Sequence, residues 1–440
     1  MSPLLAGEAG EPPAGGLRQL GRPGCLSSAA QTSCSRARAL AGASWVTVSP
    51  DGRNVYVGAV RSNAVAVFAR DARTGALRQL RGRAGCVSPG GRGGCSAGRA
   101  LSVARPIAVT RDGRSVYAGT AEGVVTFARE RGTGAIRQLP GASGCVTQLG
   151  ATGCRRGRGL LVVRALAVAR NGRSVYAAAR TSDAVAVFAR GVHSGRLRQL
   201  RGEAGCVSRE PLRGCARGRG LDGPRGVVLS PDQRFVYVAA EDGDSIAVFA
   251  RDRRSGRLRQ LSGRAGCLQR FGAQGCARLA TLRSPHHLVL SPDGRFAYVA
   301  SDTIGAVVVL RRSRRTGRLT PVTGRQGCVA TPSRPECSSA RALRNAHSLA
   351  MAPGGRILFV AGRGDHAVST LERNPATGAL TQPAGASGCI GRTLVSSCAV
   401  ALGLRGVHSV AASADGRDVY AATELDDAVV SLATAPRRRP

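Results

Sequence analysis

Four short apolar runs, separated by polar turns, repeat along this chain. Between Gly223 and Gly263 the runs are Gly226–Ser230 (GVVLS), Phe235–Ala240 (FVYVAA), Ser245–Asp252 (SIAVFARD) and Arg257–Leu261 (RLRQL). The first is apolar nearly throughout and fits a strand buried on both faces. The second and third are rich in β-branched and aromatic residues, which suit a pleated, half-buried surface. The fourth alternates polar and apolar positions, as an exposed outer strand does. The intervening turns read SPDQR (SPDGR in sister copies), EDGD and RRSG, with the Asp and Gly that tight hairpins require. No window keeps helical periodicity over ten residues. The pattern predicts a unit of four strands in an antiparallel meander.

The unit recurs seven times, and the cysteines mark its period. They fall in pairs nine positions apart: Cys25/Cys34, Cys86/Cys95, Cys145/Cys154, Cys206/Cys215, Cys267/Cys276, Cys328/Cys337 and Cys389/Cys398. The first members of successive pairs lie 61, 59, 61, 61, 61 and 61 residues apart, so seven units account for nearly all 440 residues. A fixed period of this kind marks a repeat architecture. Four-stranded units bury both faces when arranged radially, as in a β-propeller. The chain ends agree. Residues 16–20 (GLRQL) form an outer strand with no inner strands before it, and the last repeat supplies three inner strands (HSVAAS, DVYAAT, AVVSLA) without an outer one. The first strand can complete the last blade and leave no open sheet edge. The expected fold is an all-β, seven-bladed propeller over residues 16–434, with a flexible segment at 1–15 and a basic tail at 435–440.

Each cysteine pair is expected in the long connection from one blade's outer strand to the next blade's inner strand. A disulfide across ten residues stabilises by roughly 2–3 kcal/mol in the chain-entropy model. The alternative is metal binding, but isolated Cys pairs lack the second pair that a zinc site needs. Seven disulfides imply an oxidising compartment, so a secreted or cell-surface protein is expected. The start MSPLLAGEAGEPPAGG carries neither a basic segment nor a long apolar run, so an export leader is expected upstream or already removed. No stretch is long and apolar enough for a membrane-spanning helix.

The net charge is +38, and every basic residue is Arg. One reading is a polyanionic partner. The other is composition: the arginines recur in every repeat and do not cluster in one stretch. Weak, salt-sensitive binding to anionic polymers is compatible with both. Nucleic-acid recognition interleaves basic and aromatic residues, and aromatics make up only 3% of this chain, which argues against it. A monomer is expected.

The stretches Ser291–Ala300 (SPDGRFAYVA) and Ala64–Leu80 (AVAVFARDARTGALRQL) resemble the seven-bladed propeller family of 6-phosphogluconolactonases and muconate-lactonising enzymes, and are similar to YVTN-type repeats. The resemblance implies a cofactor-independent opening of a small, sugar-type lactone at the mouth of the central channel. It points to Arg or His at the start of an inner strand and to Glu after the second strand. Gly223-Pro224-Arg225 resembles the family's Gly-Pro-Arg, with Gly226 where His often follows. Pro285-His286-His287 resembles the same site with His in place of Arg, His408-Ser409-Val410 resembles its His-Ser-Val, and Glu424-Leu425 its Glu-Leu.

The repeats also act as their own control, since positions that differ between blades can serve a site on part of the ring. Ten residues after each second cysteine stand Ser44, Arg105, Arg164, Arg225, His286, His347 and His408. Four residues after the tyrosine, or Phe359, of each second strand stand Val60, Ala121, Arg180, Glu241, Asp302, Arg363 and Glu424. Meander topology puts both rings on one face. His286, His347, His408, Glu241, Glu424 and Arg225 are the candidate catalytic residues. Glu241, Glu424 or a histidine would act as general base, and Arg225 or a neutral histidine would stabilise the oxyanion. Arg105, Arg164, Arg180, Asp302, Arg363 and Trp45 are candidate ligand contacts, with Trp45 read foremost as a plug in the channel mouth. Two other readings stay open. Such a His/Asp/Glu ring could hold a divalent metal, although no metal or cofactor is expected, or its members could simply pair with one another and hydrate the mouth. His193 and His366 are read as solvated. Beside the lactonase reading stands a non-catalytic surface propeller that binds an extracellular ligand.

Overall fold

A computed structural model of the chain describes residues 16–21, 24–29, 34–392 and 397–434. The segments expected to be a flexible start, 1–15, and a basic tail, 435–440, lie outside the described residues. Seven sheets are present, and each packs its face on the next, as a propeller requires.

In blade four the first three strands are Pro224–Leu229, Phe235–Ala240 and Ser245–Arg251, paired antiparallel in order. All six side chains of the second strand are buried, because this strand lies inside the sheet and is covered by a neighbouring blade on each face. The expected fourth strand is present but broken in two. Leu258–Gln260 and Cys267–Gln269 both pair antiparallel with the third strand, on either side of a one-turn 3₁₀ segment at Gly263–Gly266. A two-residue fifth strand, Ala277–Arg278, then runs parallel to Cys267–Gln269.

All seven expected disulfides form: Cys25–Cys34, Cys86–Cys95, Cys145–Cys154, Cys206–Cys215, Cys267–Cys276, Cys328–Cys337 and Cys389–Cys398, with Cα–Cα distances of 4.7–4.9 Å. No cysteine among the described residues is free. The pairs lie, as expected, between the outer strand of one blade and the inner strand of the next, and that connection is itself partly stranded. The first member of each pair opens a strand that pairs with the third strand of its blade, or with Ala428–Thr434 in the case of Cys25. The second members, Cys34, Cys95, Cys154, Cys215, Cys276, Cys337 and Cys398, each stand one residue ahead of the short parallel strand. Cys95, Cys276 and Cys337 are buried, while Cys34, Cys154, Cys215 and Cys398 are half-buried. The disulfide therefore pins the connection by stapling two short outer strands within it. The physical reason is the parallel pairing itself, which brings the residue ahead of the fifth strand beside the first cysteine and which a two-residue strand does not announce in sequence.

The ring closes as the termini suggest. Leu17–Gln19 and Cys25–Ser27 both pair with the last strand, Ala428–Thr434, so the start of the chain supplies the outer strand of blade seven. Hydrophobic clusters lie between blades: Phe235, Tyr237 and Val248 of blade four pack with Ala297, Val299 and Leu310 of blade five.

Charged clasps cross the same seams. Arg129, at the end of the third strand of blade two, is buried. Its Nε donates to Tyr56 Oη of blade one at 2.6 Å, its Nη1 to Gly113 O at 3.0 Å and its Nη2 to Asp51 Oδ2 at 2.8 Å. Burial pushes the Tyr56 phenol up to about 12, so it keeps its proton and donates to Gly134 O at 2.8 Å. Arg190–Tyr117, Arg251–Tyr176, Arg312–Tyr237, Arg373–Tyr298 and Arg70–Tyr420 repeat the contact. A second set, Arg38, Arg99, Arg158, Arg219 and Arg341, donates to the carbonyl of the glycine that opens the next 3₁₀ turn. These eleven arginines hold blades together, which explains their recurrence in the repeat.

Candidate functional site

The first ring of candidate residues owes its placement to a backbone irregularity. In six blades the pairing of the first and second strands slips by one residue near its start, between Ala43 and Trp45, Val163 and Ala165, Pro224 and Gly226, Pro285 and His287, Ala346 and Ser348, and Val407 and Ser409. The extra residue in each is Ser44, Arg164, Arg225, His286, His347 or His408. A β-bulge re-aims its side chain out of the pleat. In blade two Arg105 stands just ahead of the strand, its N–H bonded to Gly119 O at 3.1 Å.

Two clusters result, joined by three stacked histidines. In the first, Glu241 Oε1 accepts from His286 Nε2 at 2.7 Å, and its Oε2 accepts from Arg225 Nε and, at 3.2 Å, from Arg180 Nε. Arg180 also reaches Asp242 at 2.7 Å, and Asp302 lies 3.9 Å from His286 Nε2. Burial works against ionisation of Glu241, but the hydrogen bond and charge of His286, then Arg225, outweigh it and hold the carboxyl at about 2. Burial instead raises Asp302. His286 Nδ1 is buried without a hydrogen-bond partner.

In the second cluster, Arg105 Nη1 donates to His408 Nε2 at 2.8 Å. A guanidinium only donates, so His408 carries its proton on Nδ1, which is buried and unpartnered. Glu424 Oε2 lies 3.9 Å from His408 Nε2 and 3.6 Å from Arg363 Nη2. His347 Nδ1 donates to the His408 carbonyl at 2.9 Å, which leaves Nε2 with the ring's lone pair. The His347 ring centroid is 4.3 Å from that of His286 and 3.8 Å from that of His408. Burial, with the positive charge of neighbouring His and Arg, holds His347 and His408 well below the usual histidine range, so both are neutral at pH 7.

Arg164 completes the mouth. It has neither a hydrogen bond nor an ion pair to a protein group, and its Nε is buried. Burial, then repulsion from Arg105, Arg225 and Arg180, pushes it down to about 9. Burial likewise pushes Arg105 down to about 10. The mouth thus carries more guanidinium charge than its two glutamates offset.

Trp45 sits apart from both clusters. Its Nε1–H donates to Ile107 O at 3.2 Å, and its ring stands edge-on to His287, 5.9 Å away. Blades one and five are not neighbours, so this contact crosses the channel and narrows it. Gly226 occupies the position that His287 holds in blade five; a Cβ there would meet the His286 carbonyl at 3.0 Å, a tight contact set by the close approach of blades four and five. His193 is exposed, as read. His366 is not merely solvated: its Nδ1 accepts from the Gly406 N–H at 3.0 Å and ties blade six to blade seven. Among the described residues no group of three or more His, Cys, Asp or Glu has metal-binding geometry.

Fold and sequence together define a lactonase-like seven-bladed β-propeller. The family model for lactonases with a 7-bladed β-propeller matches residues 164–269, the stretch that carries Arg164, Arg180, Arg225 and Glu241. The chain is 33% identical over 92 residues to the 6-phosphogluconolactonase of Bacillus subtilis, a match that covers 21% of this chain and 22% of that enzyme. Among solved structures it resembles the periplasmic gluconolactonase of Pseudomonas aeruginosa, with TM-score 0.53 and 19% identity over 77% of this chain and 83% of that one. It also resembles hydrazine synthase of Kuenenia stuttgartiensis, with TM-score 0.55 and 16% identity over 90% of this chain and 96% of that one. At these identities the structural likenesses establish the fold alone.

Proposed function

We propose that the channel mouth hydrolyses a small, sugar-type lactone. The observation that carries this reading is the juxtaposition of a neutral histidine, His347, with the guanidinium groups of Arg225 and Arg105, beside which Arg164 makes no ion pair among the described residues. His347 Nε2 takes a proton from water as the water oxygen bonds to the lactone carbonyl carbon. Arg164 and Arg225 stabilise the oxyanion that forms. The ring C–O bond then breaks, the proton returns to the leaving oxygen, and a hydroxy acid remains. Glu241, whose carboxyl stays ionised and fully paired, orients His286 and Arg225 and is too weak a base to take the proton itself. Glu424, 3.6 Å from Arg363 Nη2, offsets the charge of that guanidinium. The reaction needs only the protein's own side chains.

The partial match to 6-phosphogluconolactonase and the likeness to a periplasmic gluconolactonase support the substrate class. Seven disulfides support a site of action outside the cytoplasm.

A panel of aldonolactones and their phosphates, assayed by acid release, tests the proposal. Arg164→Ala and His347→Gln should each cut kcat/KM by at least a hundredfold, with far-ultraviolet circular dichroism unchanged. No turnover of any lactone would end it. Retention of the hydroxy acid or of an anionic oligosaccharide without turnover would instead favour a binding propeller, a reading that the same arginines also support.

A further inference from the structure

The face opposite the histidines carries its own internal comparison. There the clasp arginines meet carboxylates: Arg129 meets Asp51, Arg190 Asp112, Arg312 Asp232, Arg373 Asp293, and Arg70 both Asp415 and Asp418. Among the described residues Arg251 alone of this set makes no ion pair with a turn carboxylate; the acid charge that reaches it is that of the exposed Asp252 next to it. The turn of blade three that should supply it reads Asn171-Gly172-Arg173 where sister copies have Asp-Gly-Arg.

Arg251 is only 6% exposed. Its guanidinium donates to the Tyr176 hydroxyl at 2.5 Å, to Gln233 O at 3.0 Å and to Ser174 Oγ at 3.3 Å, all of them neutral acceptors. A buried cation whose hydrogen bonds all go to neutral acceptors is costly. A cavity of about 740 Å³ opens at this point between blades three and four, and Arg170, Arg253 and Arg254 also line it.

The acids of the cavity are already engaged. Asp232 accepts from Arg312 Nη2 at 2.8 Å, and Asp252 Oδ1 accepts the N–H groups of Arg254 and Ser255 at 2.9 and 2.7 Å. Gln233 stands where sister copies have glycine, and both ends of its amide are engaged: Oε1 takes the Arg170 N–H at 2.7 Å and Nε2 donates to Ser230 O at 2.9 Å. Asn171 and Gln233 both fall in this one seam; the other departure from Asp-Gly-Arg, Gly354, lies in the seam where Thr434 replaces the clasp arginine.

We propose that the cavity between blades three and four is an anion site for a phosphate or sulfate group, free or as the terminal ester of a small molecule. Arg251 forms its floor, and Arg170, Arg253 and Arg254 form its mouth. A tetrahedral oxyanion matches the fork of a guanidinium and supplies the charge that Asn171 withholds. The site lies on the face opposite the lactone pocket and does not depend on it.

The test is phosphate titration of the full chain by calorimetry and thermal melting, with chloride replaced to hold ionic strength fixed. Wild type should bind inorganic phosphate and melt higher in it. Asn171→Asp returns the missing carboxylate, so this variant should melt higher than wild type without phosphate and bind phosphate at least tenfold more weakly. The surface pair Arg253→Ala/Arg254→Ala, which leaves the floor intact, should weaken binding severalfold. Tighter binding of glycerol 3-phosphate than of inorganic phosphate would identify an ester ligand, and equal binding the free ion. Undiminished phosphate affinity in Asn171→Asp, or a wild-type response no larger than that to chloride, would overturn the proposal.

Discussion

His347 and His408 show what burial does to a single ionisable group. Both are neutral in the folded protein and held well below the usual histidine range, first by burial and then by nearby positive charge. In the unfolded chain each takes a proton near pH 6.5. The unfolded state therefore binds more protons as pH falls below 6.5, and stability drops by about 1.4 kcal/mol per pH unit for each histidine until the folded pKa is reached. Denaturant unfolding between pH 7 and 5 should show this slope, and His347→Gln/His408→Gln should flatten it. The same depression bears on catalysis. As the proton acceptor, His347 loses activity only when pH falls through its own low pKa, so kcat/KM for a lactone should stay level from pH 7 down past pH 6. A fall centred near 6.5 would point to a different base. These residues were legible in the sequence as an irregular ring of His and Arg. Their neutrality was not, because it depends on which charges burial brings together.

At the scale of strands, the β-bulge and the clasp do most to build the molecule. In six blades the bulge inserts one residue near the start of the inner strand and turns it out of the pleat, and no composition rule marks it in a single repeat. The clasp left a trace that only comparison of repeats exposes. Blade six has Phe359 in place of the tyrosine, and the last strand has Thr434 in place of the arginine, so the two partners are absent from the same seam. Read one at a time, the arginines looked like composition; paired with the tyrosines, they are ties between blades. Arg129→Ala should leave Asp51 and Tyr56 without their partner. Asp51 keeps about a third of its side chain in water, which discounts the ion pair, so the loss should be about 3 kcal/mol, the lower end for breaking a buried pair. Tyr56→Phe, which removes only the hydroxyl, should cost about 1 kcal/mol. Urea unfolding of the two variants checks the order.

The whole molecule depends on a circle closed by its first strand and braced by seven cystines. Deleting residues 1–20 would strip part of the outer strand from Ala428–Thr434 and expose a sheet edge. The melting temperature should fall and the protein should self-associate, as light scattering would show. Reduction should also lower the melting temperature, since each cystine contributes roughly 2–3 kcal/mol. By itself, the sequence determined the seven-fold repeat, the strand order, the closing strand and the cysteine pairing, because these are written in periodicity and local turn chemistry. Only the tertiary structure decided that each cystine joins two strands, that Glu241 is a bound anchor, that Arg164 makes no ion pair among the described residues, that Trp45 crosses the channel and that Arg251 lacks its turn carboxylate. The last four properties depend on residues of different blades sharing one low-dielectric space, and spacing along a chain carries no measure of that distance.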